Sequence, residues 1–173
     1  MIIVSSLRHI DRLAAEHRLA RSLSLLAPWQ KVIFQPGVLP SERVILAFND
    51  VTVAGPDHVA PDEAIVAAIL DFGRTCVASE TALIHCWMGI SRSPAAGYII
   101  ACERAPGDER AIAQELRRRS PTAAPNRLLV ALADEMLSRA GRMVEAIDAI
   151  GRGAEVDAEA EPFAWPLATS AVA

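Results

Sequence analysis

Short apolar runs alternate with segments of helical spacing along the first half of the chain, and this alternation limits the possible folds more than any other feature. Runs of strand length occupy residues 2–4, 23–26, 32–34, 44–48 and 82–84. Between several of them, apolar residues recur three and four positions apart, as on one face of a helix. The pattern predicts an α/β fold with a central, mostly parallel sheet flanked by helices. Because run 44–48 is apolar throughout, we expect it to be covered on both faces.

The second half of the chain has helical spacing, and it ends in a segment of different composition. Helices are predicted over residues 93–104, around Leu116, over residues 126–139 and around Ile147. We expect residues 1–150 to form a single domain. Residues 151–173 are acidic and rich in Ala, and we expect this tail to pack on the domain through Phe163, Trp165 and Leu167.

Charge, hydropathy and cysteine usage exclude several classes of protein. The net charge of −4 argues against a nucleic-acid partner, which normally meets a basic face. No apolar run is long enough to cross a membrane, and the apolar start is too short for a signal peptide. The spacing of the three cysteines suits neither a disulfide framework nor a zinc site. The sequence therefore predicts a cytoplasmic protein with no membrane contact, metal or cofactor.

The last predicted strand leads directly into a segment that can bind an anion. The strand ends at His85 and Cys86, a loop containing Gly89 follows, and a helix begins near Arg92 with Pro94 in its first turn. Backbone N–H groups in such a loop can all point inward, and the helix start adds partial positive charge. Cysteines in such surroundings titrate at roughly 3.5–7.5, and a guanidinium fits two phosphate oxygens. This predicts a phosphate-binding loop between a buried strand and a helix.

The same segment resembles the signature loop of the protein tyrosine phosphatase superfamily. The resemblance rests on His85-Cys86, five residues that include Gly89, and then Arg92-Ser93. The entry into the following helix is similar to that of the dual-specificity branch, whose domains are also short. More loosely, the resemblance extends over most of the predicted domain.

The resemblance implies a role for each residue of the loop. Cys86 would attack phosphorus and form a phosphocysteine, and Arg92 would clamp the phosphoryl oxygens. Ser93 would hydrogen-bond the sulfur and ease its departure in the second step. His85 would fix the loop and tune the thiol without titrating. The backbone amides that would hold the phosphoryl oxygens belong to Trp87, Met88, Gly89, Ile90, Ser91 and Arg92.

A carboxylic acid on a loop upstream can protonate the leaving group and later take a proton from water. Asp50 begins a loop directly after run 44–48, and the resemblance implies a general acid in such a loop. We therefore expect Asp50 to be the acid, with Asp57 in the same loop as the alternative. The chain lacks the Trp-Pro-Asp triplet of the larger tyrosine-specific enzymes. Asn126 is expected either to hydrogen-bond the phosphate-binding loop or only to start its helix.

The predicted function is hydrolysis of phosphate monoesters, with a phosphorylated protein as partner and phosphotyrosine as the first candidate ester. Two alternatives stay open. One is the same chemistry on a nucleotide, an RNA 5′-phosphate or a phosphoinositide, and the other is a non-catalytic phosphate-binding module. The side chains of Trp87 and Met88 can flank a substrate or pack against other loops. The sequence does not predict the oligomeric state.

Overall fold

Five strands form one sheet in a computed structural model that describes residues 1–53 and 55–166. They are β1 (Ile2–Ser6), β2 (Leu19–Leu26), β3 (Arg43–Ala47), β4 (Thr81–Cys86) and β5 (Phe163–Trp165). Their spatial order is β3-β2-β4-β1-β5. All neighbouring pairs are parallel except β1 and β5. This confirms the predicted α/β class and the mostly parallel sheet.

Six α-helices accompany the sheet in the described part of the chain. They are α1 (Ile10–Glu16), α2 (Glu63–Thr75), α3 (Arg92–Arg104), α4 (Glu109–Arg119), α5 (Arg127–Met136) and α6 (Arg142–Ile150). A single 3-10 turn, Leu7–His9, leads from β1 into α1. Within the described part of the chain, none of these helices is long and apolar enough to cross a membrane.

Side chains of the central strands alternate between two apolar cores, as the pleat of a strand requires. Ile2, Val4 and Ile84 belong to the larger core, which α2 to α6 cover. Ile3 and Leu83 belong to a smaller core on the opposite face, together with residues of α1. This alternation decides the surroundings of the candidate site, because the last two residues of β4 must face opposite sides of the sheet.

Two expectations about strands were wrong. Residues 32–34 form no strand, because this run carries one anchored side chain, Phe34, while Ile33 is 96% exposed. The expectation that both faces of run 44–48 are covered fails because β3 is an edge strand. Ile45 lies on its open face, while Val44 and Leu46 pack against the larger core.

The chain returns to the sheet after α6. Phe163 and Trp165 are buried, and β5 pairs with β1 in the register Ile2 with Trp165 and Val4 with Phe163. The expected contact of Leu167 lies outside the described residues. The sheet therefore gains its second edge strand from the segment that has the most acidic composition.

Candidate active site

Cys86 is the last residue of β4, at the carboxyl edge of the sheet. It pairs in register with Ser6 of β1 on one side and Leu25 of β2 on the other, and it is 2% exposed. Ligands of open α/β sheets bind beyond this edge. The strand pairing thus places the thiol at the base of the loop that follows it.

The phosphate loop, residues 86–92, is held from outside by its carbonyl groups. Four surrounding backbone amides donate to four of them: Leu7 to Trp87 at 3.2 Å, Ala160 to Met88 at 2.9 Å, Ala124 to Ile90 at 2.8 Å and Asn126 to Ser91 at 3.4 Å. Because the N–H and C=O of a trans peptide unit point in opposite directions, carbonyls that turn outward aim the amides inward. The Gly89 N–H accordingly donates to the Cys86 Sγ at 3.3 Å.

Gly89 is required by both conformation and space. Its φ is +74°, in the region that side chains rarely adopt. A Cβ at this position would lie 2.8 Å from the backbone N of Ser6 and 3.0 Å from the carbonyl C of Ser5. The glycine therefore lets the phosphate loop pack directly on the end of β1.

Ser93, in the first turn of α3, contacts the thiol. Its Oγ lies 3.2 Å from the Cys86 Sγ and also 3.2 Å from the carbonyl oxygen of Ser5, to which it donates. A hydroxyl has one proton to donate. Ser93 can therefore donate either to the Ser5 carbonyl or, after rotation about its C–O bond, to an ionised sulfur.

Arg92 is a buried cation with incomplete pairing. It is 4% exposed, and its two terminal nitrogens donate to the Phe48 carbonyl at 3.1 Å and the Gln30 Oε1 at 3.4 Å. Its Nε has no hydrogen-bond partner among the described residues and lies 3.8 Å from the Asp50 Oδ2. A buried guanidinium with spare donors provides strong attraction for an oxyanion at the loop.

Asp50 contacts the phosphate loop from the acid loop, which is residues 49–59. Its Oδ1 accepts from the Ser91 hydroxyl and from the Asn126 side-chain amide, both at 2.7 Å. The acid loop is closed at its base by Asn49, whose backbone N–H and side-chain Oδ1 bond to Val59. Asp50 is therefore placed by groups that belong to the phosphate loop and to α5.

Asp57 has different surroundings from Asp50. It lies in the turn between Gly55 and His58, is exposed, and forms no hydrogen bond or salt bridge with the residues that the structure describes. The structure thus brings Asp50 to the phosphate loop and leaves Asp57 in solvent. The Asn126 backbone N–H donates to the Ser91 carbonyl of the phosphate loop, and its side-chain amide donates to the acid loop. Its Oδ1 also accepts from the Leu129 N–H at 3.0 Å and caps α5.

His85 faces the opposite side of the sheet from Cys86. It is fully buried, its Nε2 lies 2.7 Å from the Ser24 hydroxyl, and Phe34 packs edge-on against its ring. Burial, with a contribution from the Arg92 cation, lowers the pKa of His85 to about 4. The imidazole is therefore neutral near pH 7, and it supports the loop from behind the sheet.

Several contacts of the site were absent from the sequence interpretation. Gln30 is buried, and its Oε1 accepts from the Ala27 N–H as well as from Arg92. Ser24 binds His85, and Ala160 binds Met88. These partners come from segments far from the phosphate loop in sequence. Gln30 lies beside Lys31 between two apolar runs, so no local signal in the sequence indicated such a role.

Two tryptophans stand at the mouth of the site. Trp87, within the phosphate loop, is 40% exposed, and Trp29, in the turn after β2, is 69% exposed. Their ring centroids are 6.4 Å apart. Gln30 anchors the Trp29 turn to Arg92. The pair therefore forms an exposed aromatic wall, Trp29 and Trp87, next to the phosphate loop.

Comparison with known proteins identifies the fold but gives no relative by sequence. No protein-family model and no curated protein matches the chain. The phosphatase domain of Yvh1 from Chaetomium thermophilum superposes with a TM-score of 0.61, at 19% identity, over 82% of this chain and 93% of that one. Tk-PTP in its active form gives a TM-score of 0.57, at 20% identity, over 76% and 86%.

A third neighbour is a human tyrosine phosphatase-like serine/threonine/tyrosine-interacting protein. It superposes with a TM-score of 0.58, at 17% identity, over 78% of this chain and 86% of that one. The chain has the dual-specificity-phosphatase-like fold of the protein tyrosine phosphatase superfamily. This confirms the resemblance inferred from the loop, at the level of the fold.

Proposed function

We propose that this protein hydrolyses phosphate monoesters through a phosphocysteine intermediate on Cys86. The observation that supports this most is the phosphate loop itself. Its carbonyls turn outward, the Gly89 N–H points at the sulfur, and Arg92 keeps an unpartnered Nε beside Asp50. Donors fixed in this way need no reorganisation when charge develops on phosphoryl oxygens.

In the first step, the Cys86 thiolate attacks phosphorus, the S–P bond forms and the bond from phosphorus to the ester oxygen breaks. The proton for the leaving oxygen comes from Asp50. Since the Asp50 Oδ1 already accepts two hydrogen bonds, Oδ2 is the atom that carries this proton. The Arg92 guanidinium and the loop amides hold the three remaining phosphoryl oxygens.

In the second step, water attacks the phosphocysteine. Asp50 takes a proton from that water, the S–P bond breaks and the sulfur leaves as a thiolate, so inorganic phosphate is released. The Ser93 hydroxyl, 3.2 Å from the sulfur, donates to the departing anion. A hydrogen bond to an anionic leaving group lowers the barrier of the step in which that charge appears.

The aromatic wall supports an aryl ester as the substrate, which favours phosphotyrosine over phosphoserine. Two exposed indole rings at 6.4 Å provide faces against which a phenyl ring can pack. A contiguous exposed apolar patch on a protein surface is typical of an interaction site. We therefore propose a phosphotyrosine-containing protein as the partner, in place of a nucleotide, an RNA 5′-phosphate or a phosphoinositide.

The test compares wild type with Cys86→Ser on an aryl phosphate and on a panel of phosphopeptides, nucleotides and phosphoinositides. We expect wild type to release phosphate, and acid quench to trap a labelled phosphoenzyme. Cys86→Ser should release none and still bind phosphotyrosine peptide. If wild type binds the peptide but releases no phosphate, the fold serves as a non-catalytic phosphate-binding module.

We further propose that the protein works in the reducing cytoplasm. Its three cysteines are all free and buried. Burial raises the pKa of Cys76, and it raises the pKa of Cys102 to about 12. These two thiols therefore stay protonated and unreactive, whereas a phosphatase nucleophile at Cys86 must be kept reduced to work.

A further inference from the structure

A cleft of about 620 Å³ continues from the candidate site along the start of α5. Its lining includes Asp50, Ser91 and Asn126, which form the hydrogen-bonded group described above. The lining also includes Arg127 and Arg152. The cleft thus connects the proposed general acid with two cationic side chains.

The lining of the cleft includes one cationic side chain that has no partner among the described residues. Its lining contains two arginines and one carboxylate, that of Asp50, whereas the whole chain carries a net charge of −4. Arg127 pairs with Asp148 of α6. Arg152 is exposed and forms no hydrogen bond or salt bridge with the described residues. An exposed guanidinium in a polar cleft is a donor for a carboxylate or phosphate.

The backbone around Arg152 is fixed in place. The Gly151 carbonyl accepts from Arg117 at 2.8 Å, and the Ala154 N–H donates to the Pro121 carbonyl at 2.9 Å. Gly153 packs so closely that a Cβ there would lie 2.4 Å from the Thr122 oxygen. The segment that carries Arg152 is therefore attached to the turn before α5.

That same turn holds the phosphate loop, because the Ala124 N–H donates to the Ile90 carbonyl and the Asn126 N–H to the Ser91 carbonyl. The position of Arg152 relative to the phosphate loop is consequently set by backbone contacts. The backbone that carries the Arg152 side chain therefore needs no rearrangement to present it beside the phosphate loop.

We propose that Arg152, assisted by Arg127, binds a second anionic group on the substrate, so that the preferred phosphopeptides carry an acidic residue close to the phosphotyrosine. This inference rests on the proposed function. The recognised chemistry is a carboxylate or phosphate oxygen on a flanking side chain. Such a contact on the surface contributes modestly and weakens with ionic strength.

The test uses one phosphotyrosine peptide in versions that differ at single flanking positions, which carry Glu, phosphoserine or Gln. For wild type we expect kcat/KM to be about fivefold higher with the acidic than with the Gln version at low salt. The Glu and phosphoserine versions distinguish a carboxylate from a phosphate as the preferred anion. In Arg152→Gln the ratio should fall to about one, and 0.5 M salt should reduce the wild-type ratio in the same direction.

Arg110→Gln is the matched control, because it removes the same charge from an exposed position outside the cleft. It should keep the wild-type ratio, and circular dichroism should show all variants folded. Equal ratios in wild type and Arg152→Gln, at every flanking position, would overturn the proposal. If wild type hydrolyses neither a phosphotyrosine peptide nor a plain aryl phosphate, the proposed phosphatase function is wrong. If it hydrolyses the aryl phosphate but no phosphotyrosine peptide, the phosphatase function stands and the proposal for Arg152 is wrong.

Discussion

The phosphate loop and the acid loop meet at Asp50, yet they are built in opposite ways. Four carbonyls of the phosphate loop are hydrogen-bonded to three other segments of the chain, and the thiol at its base is buried. Between its closing residues, Asn49 and Val59, nearly all the described residues of the acid loop are exposed. The proposed chemistry explains the difference. Groups that stabilise charge must be fixed in advance, whereas a proton donor has to approach and release successive ligands.

The largest expected effect comes from breaking the packed loop at Gly89. Gly89→Ala adds about 1 kcal/mol of backbone strain and a methyl group in contact with the β1 backbone, which costs about 1–3 kcal/mol more. Urea unfolding should show the summed loss, and kcat/KM on an aryl phosphate should fall by at least about 10³-fold. Gly107→Ala is the control, since Gly107 has φ +97° and nothing within 4 Å of an added Cβ. It should lose about 1 kcal/mol and keep its activity.

The next effect tests the acid loop. Asp50→Asn should lower kcat on phosphotyrosine by about 10²-fold, because the leaving phenoxide then lacks its proton donor. On an aryl phosphate whose leaving group is a strong acid, the loss should be much smaller. Asp57→Asn removes the same charge from the same loop and should leave kcat unchanged. If the two variants exchange these results, the assignment of Asp50 is wrong.

A third effect concerns the buried support of the phosphate loop. The pKa of His85 is about 4 in the folded protein and about 6.5 in the unfolded chain, because burial disfavours the imidazolium. Below about pH 6.5, His85 binds a proton in the unfolded chain but not in the folded protein, so the free energy of unfolding decreases as pH falls. The decrease levels off below about pH 4, where His85 is protonated in both states. Between about pH 7.5 and pH 5, the free energy of unfolding measured with urea should decrease by about 2 kcal/mol because of His85.

Two variants separate this contribution from other titrating groups. His85→Gln should lack the decrease of stability with falling pH, although it is less stable at neutral pH. His58→Gln, which changes an exposed histidine of the acid loop, should keep it. A slope that persists in His85→Gln would show that other groups cause the pH dependence.

The smallest effect tests the connection between the two loops. Asn126→Asp keeps an oxygen that can cap α5, so the melting temperature should change little. It loses the amide donor to the Asp50 Oδ1 and puts a second negative charge beside it. We expect kcat to fall about tenfold with KM nearly unchanged. An unchanged kcat in Asn126→Asp would show that the Asn126 side chain only caps its helix.

The sequence was sufficient where a structure depends on neighbouring residues. The phosphate loop, with Gly89 at its turn and α3 behind it, follows from a run of adjacent residues that carry their own conformational requirements. The α/β class followed equally well from the alternating pattern. The roles of Cys86, Arg92 and Asp50 stay predictions until activity is measured.

The remaining features depend on contacts between distant segments. Hydropathy could not show that β3 is an edge strand, because an apolar run has the same composition at the edge and at the centre of a sheet. Nor could hydropathy show that Gln30 would reach Arg92, since that contact joins the turn after β2 to the start of α3. The cleft at Arg152 likewise arises only when the segment after α6 packs against the turn before α5.

The return of the chain to β1 has a consequence for biosynthesis. Ala160 anchors the Met88 carbonyl, and Phe163 and Trp165 cover the open side of the first strand. While the ribosome is still translating the segment after α6, the nascent chain already contains every residue that is proposed to take part in the chemistry. It still lacks the contacts from Ala160 and β5 that support the phosphate loop and β1. This support joins segments far apart in sequence, so it forms only after the segment that follows α6 has been made. A transcript cut short before codon 160 would therefore encode all the proposed catalytic groups without a properly shaped pocket.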